Sequence, residues 1–282
     1  MSRFAAPDGT SLAYTEVGTG PRLLCVPGGP GRASAYLEDL GGLSAERTLV
    51  LLDGRATGAS EVPDDPSTLR FDRLAEDVEA LRAHLGEERV DLLGHSAGAI
   101  VAQAYAAAHP ERLRSLLLVT PSDVLQGGTR ADVPAIRALR SGEPWYAEAA
   151  EAQAALADAA PAQRQALVRA TRPFLYGRWD ERTQAHAASA DRQSSRRAEL
   201  GFGARGEEVD VAGLLAALGR LDVPVLVVGA ERDAATGLAS VDAVAACLPR
   251  AETAVVPGAG HFPWVDEPEA FRETVAGFLS RG

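Results

Sequence analysis

No lysine occurs in the 282 residues, and all 28 basic side chains are arginine. Schiff-base catalysis and a phosphate-binding P-loop lysine are therefore excluded. Basic runs are missing too: none reaches five residues, and the formal net charge is −11, so neither nucleic acid nor an anionic membrane is an expected partner. The acidity serves solubility, with cationic substrates as the other reading. Only two cysteines are present, Cys25 and Cys247, far apart and in apolar surroundings. That pattern predicts buried free thiols and a cytoplasmic location. Residues 1–10 lack the apolar centre of a signal peptide, and no apolar run approaches the ~18 residues of a membrane helix. The histidines, His84, His95, His109, His186 and His261, show no metal-pair spacing, so neither a metal nor a cofactor is expected.

What is present is an ordinary globular composition, 46% hydrophobic and 24% charged, long enough for one large domain or a core with an insertion. Apolar runs at 12–17, 23–26, 48–52, 90–93, 115–119, 225–228 and 253–256 read as strands. Continuous runs such as Leu116-Leu117-Leu118-Val119 suit strands buried on both faces, hence a parallel sheet. Helical patterns lie between them. Leu74, Val78, Leu81 and Leu85 repeat on one face; 97–109 is rich in small residues and ends at Pro110; 241–248 ends at Pro249. The last, 268–279, opens on Pro268 and aligns Phe271, Val275 and Phe278. The alternation predicts a mostly parallel, doubly wound α/β sheet. One stretch breaks it. From 122 to 209 no strand is evident, Gly127 and Gly128 open the stretch, and Gly201, Gly203 and Gly206 close it. It reads as a helical cap domain, or lid, inserted into a core made of 1–121 and 210–282.

Between the strand at 90–93 and the helix at 97–109 stands Gly94-His95-Ser96-Ala97-Gly98, a G-x-S-x-G pentapeptide. Its serine falls on a sharp strand-to-helix turn, where the helix N-terminus aims free N–H groups at the site; that is the context of a nucleophile elbow. A serine hydroxyl needs a base, and the base an orienting acid. His95 should point away from the turn, His84 and His109 sit where imidazoles cap helix C-termini, and His186 lies in the lid. His261 follows the last strand in a loop, at the strand edge where such sheets carry their sites. Asp233 occupies the same edge after the strand at 225–228, with Asp123 as the serious alternative acid and Glu231 a lesser rival. Oxyanion donors are expected from the Ala97 N–H and the Gly29 N–H, the latter in the loop Pro27-Gly28-Gly29-Pro30-Gly31. Substrate-binding aromatics are expected at Trp145, Tyr146, Phe174, Tyr176 and Trp179 in the lid and at Phe262 and Trp264 beside the base. Packing within the lid is the alternative for the first five.

With these residues assembled, the sequence resembles the α/β-hydrolase superfamily, and within it the proline-iminopeptidase-like branch. Pro27 to Gly31 is similar to that branch's H-G-G-P-G loop, and Asp53-Gly54-Arg55-Ala56-Thr57-Gly58-Ala59-Ser60 to its D-x-R-G-x-G-x-S turn. The resemblance implies that Asp53 and Arg55 are structural supports, and it carries nucleophile, acid and base onto Ser96, Asp233 and His261. Three positions depart from the branch: Pro27 stands for its histidine, Ala56 for a glycine, and Ala97 for its tryptophan. The branch captures a substrate amino group with lid carboxylates, for which Glu143, Glu148, Glu151, Asp180, Glu181 and Glu199 are candidates and nothing in the sequence selects among them. A serine at 96 argues against the dehalogenase and epoxide-hydrolase relatives, which use aspartate there. The expected activity is a serine hydrolase acting on a small-molecule ester, lactone or amide, as a monomer or homodimer. The alternatives are a proline iminopeptidase, or a lyase, cyclase or ligand-binding protein on the same fold.

Overall fold

Eight strands form one sheet: β1 Ser2–Ala5, β2 Ser11–Val17, β3 Arg22–Val26, β4 Thr48–Asp53, β5 Val90–His95, β6 Leu113–Val119, β7 Val225–Ala230 and β8 Ala251–Val256. Their order is β1-β2-β4-β3-β5-β6-β7-β8, with only the β1–β2 and β2–β4 pairs antiparallel. The computed structural model describes residues 1–128, 130–203 and 209–281. The expected mostly parallel α/β sheet is thus present. Strand β1 is the one the sequence hides: four residues with a single buried side chain, Phe4, give no readable pattern.

Successive side chains of the central strands go to opposite faces, as the pleat requires. Leu92, Leu116, Leu118, Val225 and Val227 meet helices α1 (Phe71–His84) and α2 (Gly98–Ala108) in one core. Leu93, Leu117, Val119, Leu226 and Val228 form a second core on the other face. There they meet Phe271, Val275 and Phe278, the stripe read from the C-terminal helix.

Between β6 and β7 run short helices: α3 Val133–Ala138, α4 Tyr146–Ala155, α5 Pro161–Ala170, α6 Glu181–Gln193, α7 Arg196–Gly201 and α8 Val211–Leu218. Gly206, read as part of this segment's exit, lies outside the described residues. Helices α9 (Leu238–Ala245), α10 (Pro263–Asp266) and α11 (Pro268–Leu279) complete the chain. Main-chain bonds tie the segment to the sheet edge: Ala33 N–H donates to Gln193 at 2.9 Å, Ser195 N–H to Gly31 at 2.8 Å, and His261 N–H to Leu175 at 2.7 Å. Both cysteines are free thiols, but only Cys25 is buried; Cys247, in the turn after α9, is half-buried. Among the described residues no helix is long and apolar enough to cross a membrane.

The parallel register makes one edge level: Val26 pairs with Gly94, His95 with Val119, Val119 with Val228, and Ala230 with Val256. Loops leaving β3, β5, β6, β7 and β8 therefore emerge side by side. Asp53 pins one flank of that edge, accepting from Ser34 N–H at 2.9 Å and from Ala59 N–H at 2.9 Å. Arg55, buried, pairs with Asp77 and Asp8. Both residues thus hold loops together, the support role the resemblance implied.

Candidate active site

Strand β5 runs to His95 and helix α2 starts at Gly98, so Ser96 makes the turn with φ +54°, a left-handed conformation that is costly outside glycine. Such sharpness demands small neighbours. A Cβ on Gly94 would lie 2.6 Å from the Gly98 carbonyl oxygen, and one on Gly98 would lie 2.4 Å from that of Val26 and 2.5 Å from that of Pro27. These are main-chain atoms that cannot step aside. Gly98→Ala is therefore expected to cost about 3 kcal/mol or more, at the upper end of overpacking. Urea unfolding checks this: the midpoint should fall with an unchanged slope, and an unmoved midpoint would remove packing as the reason for the second glycine.

Three side chains from three loops meet at the turn. His261 Nε2 is 2.9 Å from Ser96 Oγ, and its Nδ1 is 3.0 Å from Asp233 Oδ2 and 3.1 Å from Oδ1. Asp233 also accepts from Thr236 Oγ1 at 2.6 Å and from Ala235 N–H at 2.8 Å. Burial acts to raise the Asp233 carboxyl pKa, but the His261 ring and the Thr236 hydroxyl outweigh it and hold the group below the ordinary value. A carboxylate facing Nδ1 fixes the proton there and leaves Nε2 as an acceptor for the Ser96 hydroxyl.

His95, which the turn was expected to point elsewhere, lies behind this triplet in a bonded chain. Its Nε2 is 2.9 Å from the His261 carbonyl oxygen, and its Nδ1 is 2.7 Å from Tyr36 Oη. A carbonyl only accepts, so Nε2 carries the proton and Nδ1 accepts from the Tyr36 hydroxyl. Tyr36 Oη in turn accepts the Gly28 N–H at 2.7 Å. Burial, followed by the neighbouring His261, pushes the His95 pKa well below the ordinary histidine value, so the ring stays neutral and the chain keeps one sense. No motif announced Tyr36, since only the tertiary fold brings it under the pentapeptide. The Gly29 and Ala97 N–H groups, the predicted oxyanion donors, are engaged by no acceptor among the described residues, and both residues line the cavity over Ser96.

That cavity has a volume of ≈760 Å³, and its lining includes Ser96, His261, Phe262, Val168 of α5 and Thr171 and Arg172 just after it. Of the predicted substrate-contacting aromatics only Phe262 is part of it. Trp145 and Tyr146 each meet Phe174 edge-on, and the three pack with Ile136 and Ala234 in a small core of their own. Tyr176, Trp179 and Trp264 join the second sheet core instead. Helices this short bury their aromatics on each other before they can offer them to a ligand. The rival acids do not reach the base. Asp123 makes no bond to His261, and Glu231 accepts the Gly258 N–H at 2.7 Å. The remaining histidines have structural partners. His109 meets Glu76 at 3.1 Å rather than capping its own helix, His84 stacks on Phe4 and Tyr14, and His186 bridges Tyr176 Oη to the Tyr36 carbonyl. Among the described residues no three His, Cys, Asp or Glu side chains converge as metal ligands would.

The base loop has its own anchor. Asp266 Oδ2 accepts Gly260 N–H at 2.8 Å and Gly177 N–H at 2.9 Å. Burial raises its pKa from 3.8 to about 6, against the pull of those N–H groups. A raised carboxyl pKa means the folded protein takes up the proton first. Its stabilising contribution is therefore full below pH ~4 and lost as pH rises through about 6. Relative to Asp266→Asn, the wild type should gain about 2–3 kcal/mol between pH 7 and pH 4. Parallel urea curves for the two proteins would reveal a constant difference if the carboxyl does not titrate there.

The family model described as the α/β hydrolase fold matches residues 21–268. A proline iminopeptidase of Heyndrickxia coagulans is 32% identical over 108 residues, which are 38% of this chain and 38% of that protein, so the match spans little more than a third of that relative. A hydrolase from Pseudomonas aeruginosa superposes with TM-score 0.69 at 30% identity, covering 99% of this chain and 97% of the other. An esterase from Rhodococcus does so with TM-score 0.67 at 25% identity, covering 99% and 98%.

Proposed function

This chain belongs to the α/β-hydrolase family, and from that premise we propose that it is a serine hydrolase of small-molecule esters, lactones or amides. The observation that carries the reading is the unbroken chain from Ser96 Oγ through His261 to Asp233, at 2.9 Å and 3.0 Å, on the floor of a cavity. Ser96 Oγ attacks the substrate carbonyl carbon while His261 Nε2 takes the hydroxyl proton. The oxyanion forms against the Gly29 and Ala97 N–H groups. It collapses, the bond to the leaving group breaks, and His261 returns the proton to that group. A water then attacks the acyl-enzyme, giving its proton to His261, and Ser96 leaves with that proton as the acid is released. Residues 122–209 act as the cap over this site.

The esterase reading is preferred to an aminopeptidase. Glu143, Glu148, Glu151, Asp180, Glu181 and Glu199 are not among the cavity-lining residues, so none is placed to receive a substrate amino group. The test is covalent. A fluorophosphonate should label the protein once, mass spectrometry should place the label on Ser96, and Ser96→Ala should not be labelled. A label that survives in that variant would sink the nucleophile assignment. Tyr36→Phe probes the support chain. It leaves the Gly28 N–H and His95 Nδ1 without partners, and kcat is expected to fall about 10–100-fold with little change in KM. An unchanged kcat would detach the oxyanion loop from His95.

A further inference from the structure

The protein carries a net charge of −11, yet the charged side chains around the cavity, the triplet apart, are arginines: Arg32, Arg130 and Arg172. No Asp or Glu lines it among the described residues. Arg172 is partly neutralised by Asp191 at 2.5 Å. Arg130 pairs with no carboxylate among the described residues. Arg32 is the unusual one. It is 7% exposed, and its bonds go to neutral acceptors only: Gln193 Oε1 at 3.0 Å, Ser189 Oγ at 3.0 Å and the His186 carbonyl at 3.3 Å. Its Nη1 donates to nothing among the described residues. The guanidinium lies 4.3 Å above the Tyr36 ring, which fixes its plane.

A buried cation without a counter-charge is costly, and arginine does not escape by losing its proton. Here burial lowers the Arg32 pKa, and the weaker opposing pull of Tyr36, Tyr176 and Glu38 does not reverse it. The neutral acceptors and the Tyr36 ring offset part of this cost, but no carboxylate among the described residues pairs with the guanidinium. Arg32 lines the same cavity as Ser96, Gly29 and Ala97, so an anion held by it would share that cavity with the reacting carbonyl. A planar group with two free N–H bonds on one nitrogen suits a carboxylate oxygen.

Resting on the serine-hydrolase reading, we propose that the substrate is itself an anion: an ester, lactone or amide bearing a free carboxylate, which Arg32 binds and Arg130 and Arg172 draw into the cavity. The acidic surface then acts as an outer repulsion that the cavity overcomes locally, which keeps anions from binding elsewhere on the protein.

The test compares matched esters: the 4-nitrophenyl hemiester of glutaric acid, the 4-nitrophenyl ester of valeric acid, and prolyl-4-nitroanilide. The wild type is expected to show kcat/KM at least tenfold higher for the hemiester than for the valerate, with the ratio falling as salt rises. In Arg32→Met the ratio should drop to one or below, through KM for the hemiester. Arg32→Lys should restore part of it. Because the readout is a ratio, a general loss of activity or a partly unfolded variant cancels. A wild type that prefers the valerate or the anilide overturns the proposal, as does a ratio unmoved in Arg32→Met. Fluorophosphonate labelling of Ser96 in the same preparation separates these outcomes from failure of the hydrolase reading itself.

Discussion

Ser96→Ala is expected to lower kcat by about 10⁶-fold, and adding His261→Ala to it to remove almost nothing more. The hydroxyl and the imidazole share one proton across 2.9 Å, so losing either ends the same step. What remains in both variants is the cavity and the two free N–H groups, which still favour a hydrated transition state. Alanine at this position keeps the same φ, so the stability of Ser96→Ala should lie within about 0.5 kcal/mol of wild type, and the loss is not one of folding. Kinetics of the single and double variants on one activated ester decide the matter. A further thousandfold fall in the double variant would show that His261 acts independently of the serine.

Asp233→Asn is the second large effect, about 10⁴-fold in kcat. The surroundings of the carboxylate dictate how an amide would sit. Ala235 N–H at 2.8 Å and Thr236 N–H at 3.3 Å both donate to Oδ1, so the amide oxygen is drawn to that side. The amide NH₂ then occupies the Oδ2 position, 3.0 Å from His261 Nδ1, and donates to it. The ring must move its proton to Nε2, where it can no longer accept from Ser96. The shape of the site survives, so KM should stay within about threefold of wild type. Asp123→Asn, which touches nothing in the triplet, should keep near-wild-type turnover. The reverse pattern would make Asp123 the acid.

The triplet was legible in the sequence because each member obeys a local rule. The pentapeptide is a turn whose glycines follow from main-chain contact, and Asp233 and His261 each follow a strand that ends at one level edge. The bonded chain through His95 and Tyr36 was not legible. Tyr36 precedes His95 by 59 residues, and tertiary structure, the β3–β5 pairing included, brings them together. The aromatics of 122–209 misled for a related reason. Composition gives the number of large rings but not which of them pack on each other, and Trp145, Tyr146 and Phe174 found partners before the cavity did. Arg32 is one of 28 arginines in the sequence; that no described carboxylate bonds to it shows only in three dimensions.

The main-chain bonds from Gly31, Ala33 and His261 to Ser195, Gln193 and Leu175 constrain how the helices between β6 and β7 can move. A hinge that lifted the whole segment would drag the oxyanion loop and the base with it. Each opening would then dismantle the machinery that the next turnover needs. Movement of Val168, Thr171 and Arg172, which line the cavity from α5 and the following turn, would leave those bonds in place. Side-chain and turn motions of that kind run on nanosecond-to-microsecond scales, faster than domain closure. The ≈760 Å³ of the cavity then bounds what it can hold without the segment lifting.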